Sequence, residues 1–328
     1  MDTQDYETQA TVVAKGGSIN LGGLLFSRAS GFFVEVLLAR FLGANGYGLY
    51  SLSRTVVNII DSFTNLGLPQ AVVRYGAIYR DKKDYAKLKG LLIGASLIVI
   101  AVSLIGSLLL FVGAKTISTW FNAPDMEPLI KIFAWILAPS GFVVIFGAYA
   151  RSQLRYDLDI KGRGIALAVF SLLAVLVLVI LLGYGSKGAV FSFFLASLIS
   201  AIIGFFYIVR LFPQVLSELR PVFQIRKWLR FAIPTLLLST SYLLMRQSSR
   251  ILLGYFATAE AVGIFTAASA VSNNLTIFID AINPVFAPVA AALHERRIQI
   301  GVLHDLEHTF QVSTRWMLTL TLPILIVI

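Results

Sequence analysis

The sequence predicts an all-α, polytopic membrane bundle, and three observations carry that prediction. The first is the length of the uncharged runs: residues 91–114 and 164–185 hold 24 and 22 residues without a charge. A helix rises 1.5 Å per residue, so about 20 apolar residues cross the hydrocarbon layer. The second is composition. Of 328 residues, 57% are hydrophobic and only 13% charged, where a soluble domain carries roughly 25% charged. The third is the placement of the basic residues. Nine spans can be assigned, at 18–42, 48–73, 90–114, 129–150, 164–184, 188–210, 232–256, 262–288 and 313–328. The loops after spans two, four, six and eight hold six, four, five and three Lys or Arg; those after one, three, five and seven hold none, one, one and none.

Basic loops stay on the inner side. The pattern therefore describes a multi-pass protein of the cell membrane with a cytoplasmic N-terminus. It also explains the net charge of +10, so no nucleic-acid partner is needed. A β-barrel would show alternating segments of about ten residues. The absence of cysteine excludes a disulfide framework and a thiolate metal site. Residues 1–16 are polar and acidic (Asp2, Asp5, Glu7), unlike a signal peptide, so the first span is expected to be retained.

Spans one and two form a hairpin about a turn at 43–47. Arg28 and Glu35 lie seven apart on the first, and Arg54 and Asp61 seven apart on the second. Seven residues is close to two turns, so each pair shares a face. Counted from Asn45, Glu35 and Arg54 lie at similar depth, as do Arg28 and Asp61, which predicts two ion pairs. Ionisable groups in hydrocarbon usually face a bundle interior or a watery cavity. The plainer reading is that the pairs only fix the hairpin; the functional one is that they line a cavity and exchange partners. Arg40, near the outer end, is expected to snorkel to the interface.

Span three carries Gly90 and Gly94 in a small-xxx-small pattern suited to helix packing. Trp120 and Phe121 suit an outer interface, and spans five and six read as lipid-facing scaffold. Residues 213–230, with Pro213, Pro221 and the interfacial anchors Phe223 and Trp228, read as a helical linker on the inner membrane surface. It separates a first lobe, 1–212, from a second, 231–328.

Span seven holds Arg246 and Arg250. Their depth partners on span eight are Asn274 and Ala270, not acids. A guanidinium stays protonated and its fork suits phosphate oxygens, so these two are candidates for an anionic substrate. The alternative is that Arg250 pairs with Glu35. Span eight carries Asn273 and Asp280 and is interrupted by Pro284 and Pro288. Span nine stops at Ile328, so a truncated second lobe is expected. His294, His304 and His308 lie in an inner loop. His304 and His308 are four apart, but there is no HExxH and no third ligand in register. No nucleophile constellation, P-loop or GxGxxG is present. The expectation is a non-enzyme without metal or cofactor.

An internal repeat links the halves. At an offset of 215, residues 35–73 match 250–288 at nine positions of 39 without a gap. Gly48 aligns with Gly263, Asn58 with Asn273 and Pro69 with Pro284. Six spans fit in that offset, so the repeat is parallel, with a binding site expected between the halves. Asn58 and Asn273 would hydrogen-bond sugar hydroxyls or bridge helices.

The run LLARFLGANGYGLYSLSRTVVNIIDSFTNLGLPQAVVRYGA, and the later ILLGYFATAEAVGIFTAASAV, resemble the polysaccharide transporter family. These are the lipid-linked oligosaccharide flippases of the multidrug/oligosaccharidyl-lipid/polysaccharide exporter superfamily. The resemblance implies two pseudo-symmetric six-helix lobes working by alternating access, with spans one, two, seven and eight facing the cavity. Those spans hold the deep charges here. Where the family pattern carries an acid ahead of its Leu-Gly, this chain has Arg250, which tells against an acid-based ion site there. The implied substrate is a polyprenyl phosphate or pyrophosphate sugar. It would be held by Arg246, Arg250, Arg28, Arg54, Asn58 and Asn273. Glu35, Asp61 and Asp280 would serve as ion pairs or in coupling to a proton or sodium ion. The implied partners are the bilayer and glycan-assembly machinery. The rival reading is a multidrug and toxin extrusion antiporter exchanging cations; a third is a scaffold for a glycan-polymerising complex.

Overall fold

The computed structural model describes residues 3–212 and 219–275, with 315 and 319. Asp280, Pro284, Pro288, the three histidines and most of the ninth span lie outside the described residues, as does the side chain of Asn273. The chain forms two compact units, Met1–Thr266 and Ala267–Ile328. The candidate site lies in the first.

Every regular element among the described residues is helical, without a strand. The order is α1 (Thr3–Thr64), α2 (Leu68–Asp81), α3 (Tyr85–Trp120), α4 (Met126–Ala134) and α5 (Leu137–Ser152). It continues with α6 (Tyr156–Asp159), a π turn (Ile160–Ile165), α7 (Ala166–Val175), a second π turn (Leu176–Leu181) and α8 (Gly185–Leu211). After the linker come α9 (Ile225–Phe256) and α10 (Ala259–Leu275). Among the described residues, four stretches are long and apolar enough to cross a membrane: Tyr85–Trp120, Tyr156–Leu181, Gly185–Arg210 and Ile225–Phe256. The pair α4 and α5, bent by 47°, makes a fifth. That bend falls inside the expected fourth span.

Two elements differ from the sequence reading near the site. The turn expected over five residues is a break at one, Gly43, at φ 69° and ψ 174°, a conformation that L side chains rarely adopt. Residues 44–47 are already helical. The expected second span does not run through either. It ends at Thr64, passes Leu66 (φ 51°) and Gly67 (φ 66°) in the left-handed region, and restarts as α2 with proline in its first turn. The Asn65 side-chain amide donates to the Asp61 carbonyl at 2.7 Å, beside the Asn65 backbone N–H at 3.1 Å, so both groups of Asn65 hold the last turn. Pro69 needs no N–H at the start of a helix.

The linker is also different. Residues 219–224 are not helical, and the helix begins at Ile225, ahead of the expected boundary. The Val222 N–H bonds to the Ala86 carbonyl at 3.0 Å. Trp228, expected as an interfacial anchor, is fully buried. Its indole N–H donates to the Tyr79 hydroxyl at 3.2 Å, which in turn donates to Gln224 at 2.8 Å. A buried indole needs such a partner. Gly90 and Gly94 make room for this segment: a Cβ on Gly90 would meet the Val222 backbone, and one on Gly94 the rings of Trp228 and Phe223. Around them Leu68, Val72, Leu91, Val99, Phe146 and Tyr149 form the core.

Candidate functional site

The break at Gly43 folds the second arm of α1 back on the first, and this brings Glu35 to Arg54. One Arg54 guanidinium N–H donates to Glu35 Oε1 at 2.8 Å. The Tyr47 hydroxyl donates to Oε2 at 2.5 Å. Both carboxylate oxygens are thus engaged. Arg54 also bonds the Tyr50 hydroxyl at 3.1 Å and lies over the Phe193 ring, 4.4 Å from its centroid. The pair is only partly shielded, with 33% of the Arg54 side chain and 25% of Glu35 exposed, so it borders an accessible space. The depth match for Glu35 and Arg54 holds.

The second match does not. Asp61 Oδ1 accepts from Ser140 Oγ of α5 at 2.7 Å, and Oδ2 accepts from the Asn65 amide at 3.1 Å. Arg28 is half-buried on the first arm and makes its interactions elsewhere. Depth counting assumed two straight helices around one turn. The end of the second arm instead bends away at 65–67, and nearer neutral donors reach Asp61.

On α9, Arg246 is exposed beside Tyr242, its Cζ 5.8 Å from the ring centroid. Arg250 is half-buried and donates to Gln247 at 2.9 Å. Among the described residues neither forms an ion pair. Arg250 makes no hydrogen bond to Glu35, whose two carboxylate oxygens are held by Arg54 and Tyr47. Asn58 is half-buried and makes no hydrogen bond among the described residues.

Among the described residues the repeat appears in space at a crossing of α1 and α10. A Cβ on Gly48 would run into the Ala259 carbonyl oxygen, and one on Gly263 into that of Ala44. Each glycine N lies 3.0 Å from the other's would-be Cβ. Residues 44 and 259 are themselves equivalent at the offset of 215, so the contact is reciprocal, as two-fold related surfaces require. Backbones meet here because neither helix presents a side chain.

Tyr47, Tyr50, Asn65, Ser140, Phe193 and Gln247 were not singled out from the sequence. Three had a local signal: Tyr50 precedes Arg54 by four residues, Asn65 follows Asp61 by four, and Gln247 precedes Arg250 by three, all neighbours on a helix face. Ser140 and Phe193 come from distant elements and had none.

The pattern of the polysaccharide biosynthesis protein family matches residues 13–294. Stage V sporulation protein B of Bacillus subtilis (strain 168) is 32% identical over 122 residues, covering 36% of this chain and 23% of that protein. Among solved structures, an inward-facing multidrug resistance MATE family transporter of the MOP superfamily superposes with a TM-score of 0.65 at 16% identity. That alignment covers 91% of this chain and 70% of the other. The MATE multidrug transporter DinF-BH, solved as a complex, gives 0.63 at 15% identity, over 83% and 63%. The chain thus spans under a quarter of the sporulation protein's length and about two thirds of the transporters'. The transporter likeness is one of fold, a helical membrane bundle. With the family pattern matching most of its length, the chain belongs to the polysaccharide biosynthesis protein family and is a multi-pass membrane protein of transporter fold.

Proposed function

We propose that this protein is a flippase. It translocates a lipid-linked oligosaccharide, a polyprenyl phosphate or pyrophosphate sugar, to the outer leaflet of the cell membrane by alternating access. The observation that carries this reading is the pair Arg246 and Arg250, one turn apart on α9 and outside any ion pair among the described residues. Unpaired cations at a partly exposed site suit a phosphate, which a guanidinium fork grips through two N–H bonds. Arg54 is committed to Glu35, so it and Arg28 shape the opposite wall. Asn58 and Asn273, equivalent in the sequence repeat, would hydrogen-bond sugar hydroxyls. The division into lobes at 1–212 and 231–328 rests on the sequence repeat, and the cytoplasmic N-terminus on the basic loops. Glycan-assembly machinery is the partner that would supply or consume such a lipid.

In the full-length protein, Arg246→Ala and Arg250→Ala are expected to abolish surface-glycan export while membrane insertion and detergent stability remain. Wild-type export from both variants would overturn the phosphate role. A multidrug antiporter is the second reading, and the observation in its favour is Asp61, an acid whose partners are neutral. Ion-driven efflux of organic cations from proteoliposomes, with no binding of prenyl-pyrophosphate sugar, would reverse the ranking.

A further inference from the structure

The first turns of α9 carry a second cluster of cations, apart from Arg246 and Arg250. From 219 to 259 the chain holds no acid, and four basic residues fall between 220 and 230. Three of them, Arg226, Lys227 and Arg230, border an open depression of about 1330 Å³ together with Ile225, Leu229 and Ile233. Arg226 and Arg230 are exposed, and neither has a hydrogen bond or ion pair among the described residues. The acids on the neighbouring elements are taken, Asp81 by Arg80 and Asp84 by Lys87. The backbone beneath the depression is fixed. The Val222 N–H bonds to the Ala86 carbonyl, and Gln224 accepts from the Tyr79 hydroxyl. Trp228, two residues from each arginine and so on the opposite face of the helix, is fully buried. Lys227 leans toward the packed side, its Nζ 5.2 Å from the centroid of the Tyr75 ring.

Two stripes run along the exposed face. Arg226 and Arg230 are one turn apart, so their guanidinium groups can close on one phosphate. Ile225, Leu229 and Ile233 repeat at the same spacing beside them, and the exposed Leu237 continues the line into the span. Ile225–Phe256 is long and apolar enough to cross a membrane, which sets its first turns at headgroup depth. The basic loops put that end on the inner side, where anionic lipids gather. We propose that this depression binds an anionic phospholipid of the inner leaflet. Its phosphate sits on Arg226 and Arg230, and an acyl chain lies along Ile225, Leu229 and Ile233. The charge selects an anion, because no unpaired acid competes for the two arginines among the described residues. The apolar stripe selects a lipid over a free phosphate, which has no chain to lay on it. No side chain caps the start of α9, so its first N–H groups add to the positive field. The site is separate from the proposed substrate grip: Arg230 and Arg246 are 16 residues apart, about 24 Å along the helix.

The test reads lipid retention and not transport, so its failure does not touch the flippase reading. The purified protein is equilibrated in nanodiscs of phosphatidylglycerol and phosphatidylcholine at equal mole fraction. It is then released into detergent, and native mass spectrometry measures the lipid that stays bound. Wild type is expected to retain phosphatidylglycerol over phosphatidylcholine by about 25-fold, about fivefold for each arginine. Arg226→Gln and Arg230→Gln are each expected to lose about fivefold, and the double variant nearly all of the preference. Both side chains are exposed, so the variants should melt in detergent as wild type does. The charge-matched control is Lys82→Gln with Lys83→Gln, in the exposed turn after α2, and it is expected to keep the preference. Millimolar inorganic phosphate is expected to leave the bound lipid in place. Equal retention of the two lipids by wild type would overturn the site, as would a preference that survives in the double arginine variant. A loss as large in the lysine control would reduce it to general surface attraction, and displacement by inorganic phosphate would overturn the assignment to a lipid.

Discussion

Glu35 and Asp61 are both acids on α1, both expected to face an arginine at matching depth, and they end in opposite situations. Glu35 has an arginine on one oxygen and a tyrosine hydroxyl on the other. Asp61 has a serine hydroxyl and an amide. The first arrangement closes on itself: charge is neutralised and every lone pair that matters is used. The second has only neutral partners among the described residues. The contrast separates an acid that builds the wall from an acid that can take part in binding, a distinction that spacing alone does not make.

The strongest way to break this comparison is Arg54→Ala. It strands the Glu35 carboxylate with Tyr47 alone and is expected to cost about 3 kcal/mol, the usual penalty for removing one partner of a shielded pair. Denaturation in detergent measures it, and the double variant with Glu35→Gln should recover most of the loss. If the double variant is as unstable as the sum of the singles, the two groups are not coupled. A solvated counterpart comes next. Asp84 caps α3, its side chain accepting from the Lys87 N–H at 3.2 Å and bridging the Lys87 ammonium. Asp84→Ala should cost about 1 kcal/mol. The bonded Lys87 holds the Asp84 carboxyl below its ordinary range. The contribution is therefore complete above about pH 4 and fades as pH falls through the lowered folded value; a stability difference that grows as pH falls below the ordinary carboxylate range would contradict that linkage. The smallest effect is expected from Asp61→Asn. The relief of an uncompensated charge offsets weaker hydrogen bonds, leaving a net change within about 0.5 kcal/mol. A loss as large as that of Arg54→Ala would make Asp61 a wall acid after all.

The fold class was legible because hydrocarbon imposes length and charge rules on every span. The Glu35–Arg54 pair was legible because both residues sit close to the one turn, where counting accumulates little error. Asp61 lies farther along, and the error there comes from a break that an apolar run conceals. The signals were present, in Asn65, Gly67 and Pro69, but in sequence Pro69 reads only as a mark of the repeat and the other two as ordinary residues of a long span. Trp228 misled for a different reason. A tryptophan beside arginines suits a membrane interface, and only tertiary structure shows that Gly94 gives its ring a place inside.

The crossing of Gly48 and Gly263 carries one more consequence. A seam of bare backbone has nothing interlocked across it: no side chain must change rotamer for the helices to part, and none must find its slot when they return. In a cycle of the kind proposed, such a seam parts and re-forms without a sorting step. A single methyl added to either strip would act as a wedge, holding open a place where the two copies of the repeat touch as equals.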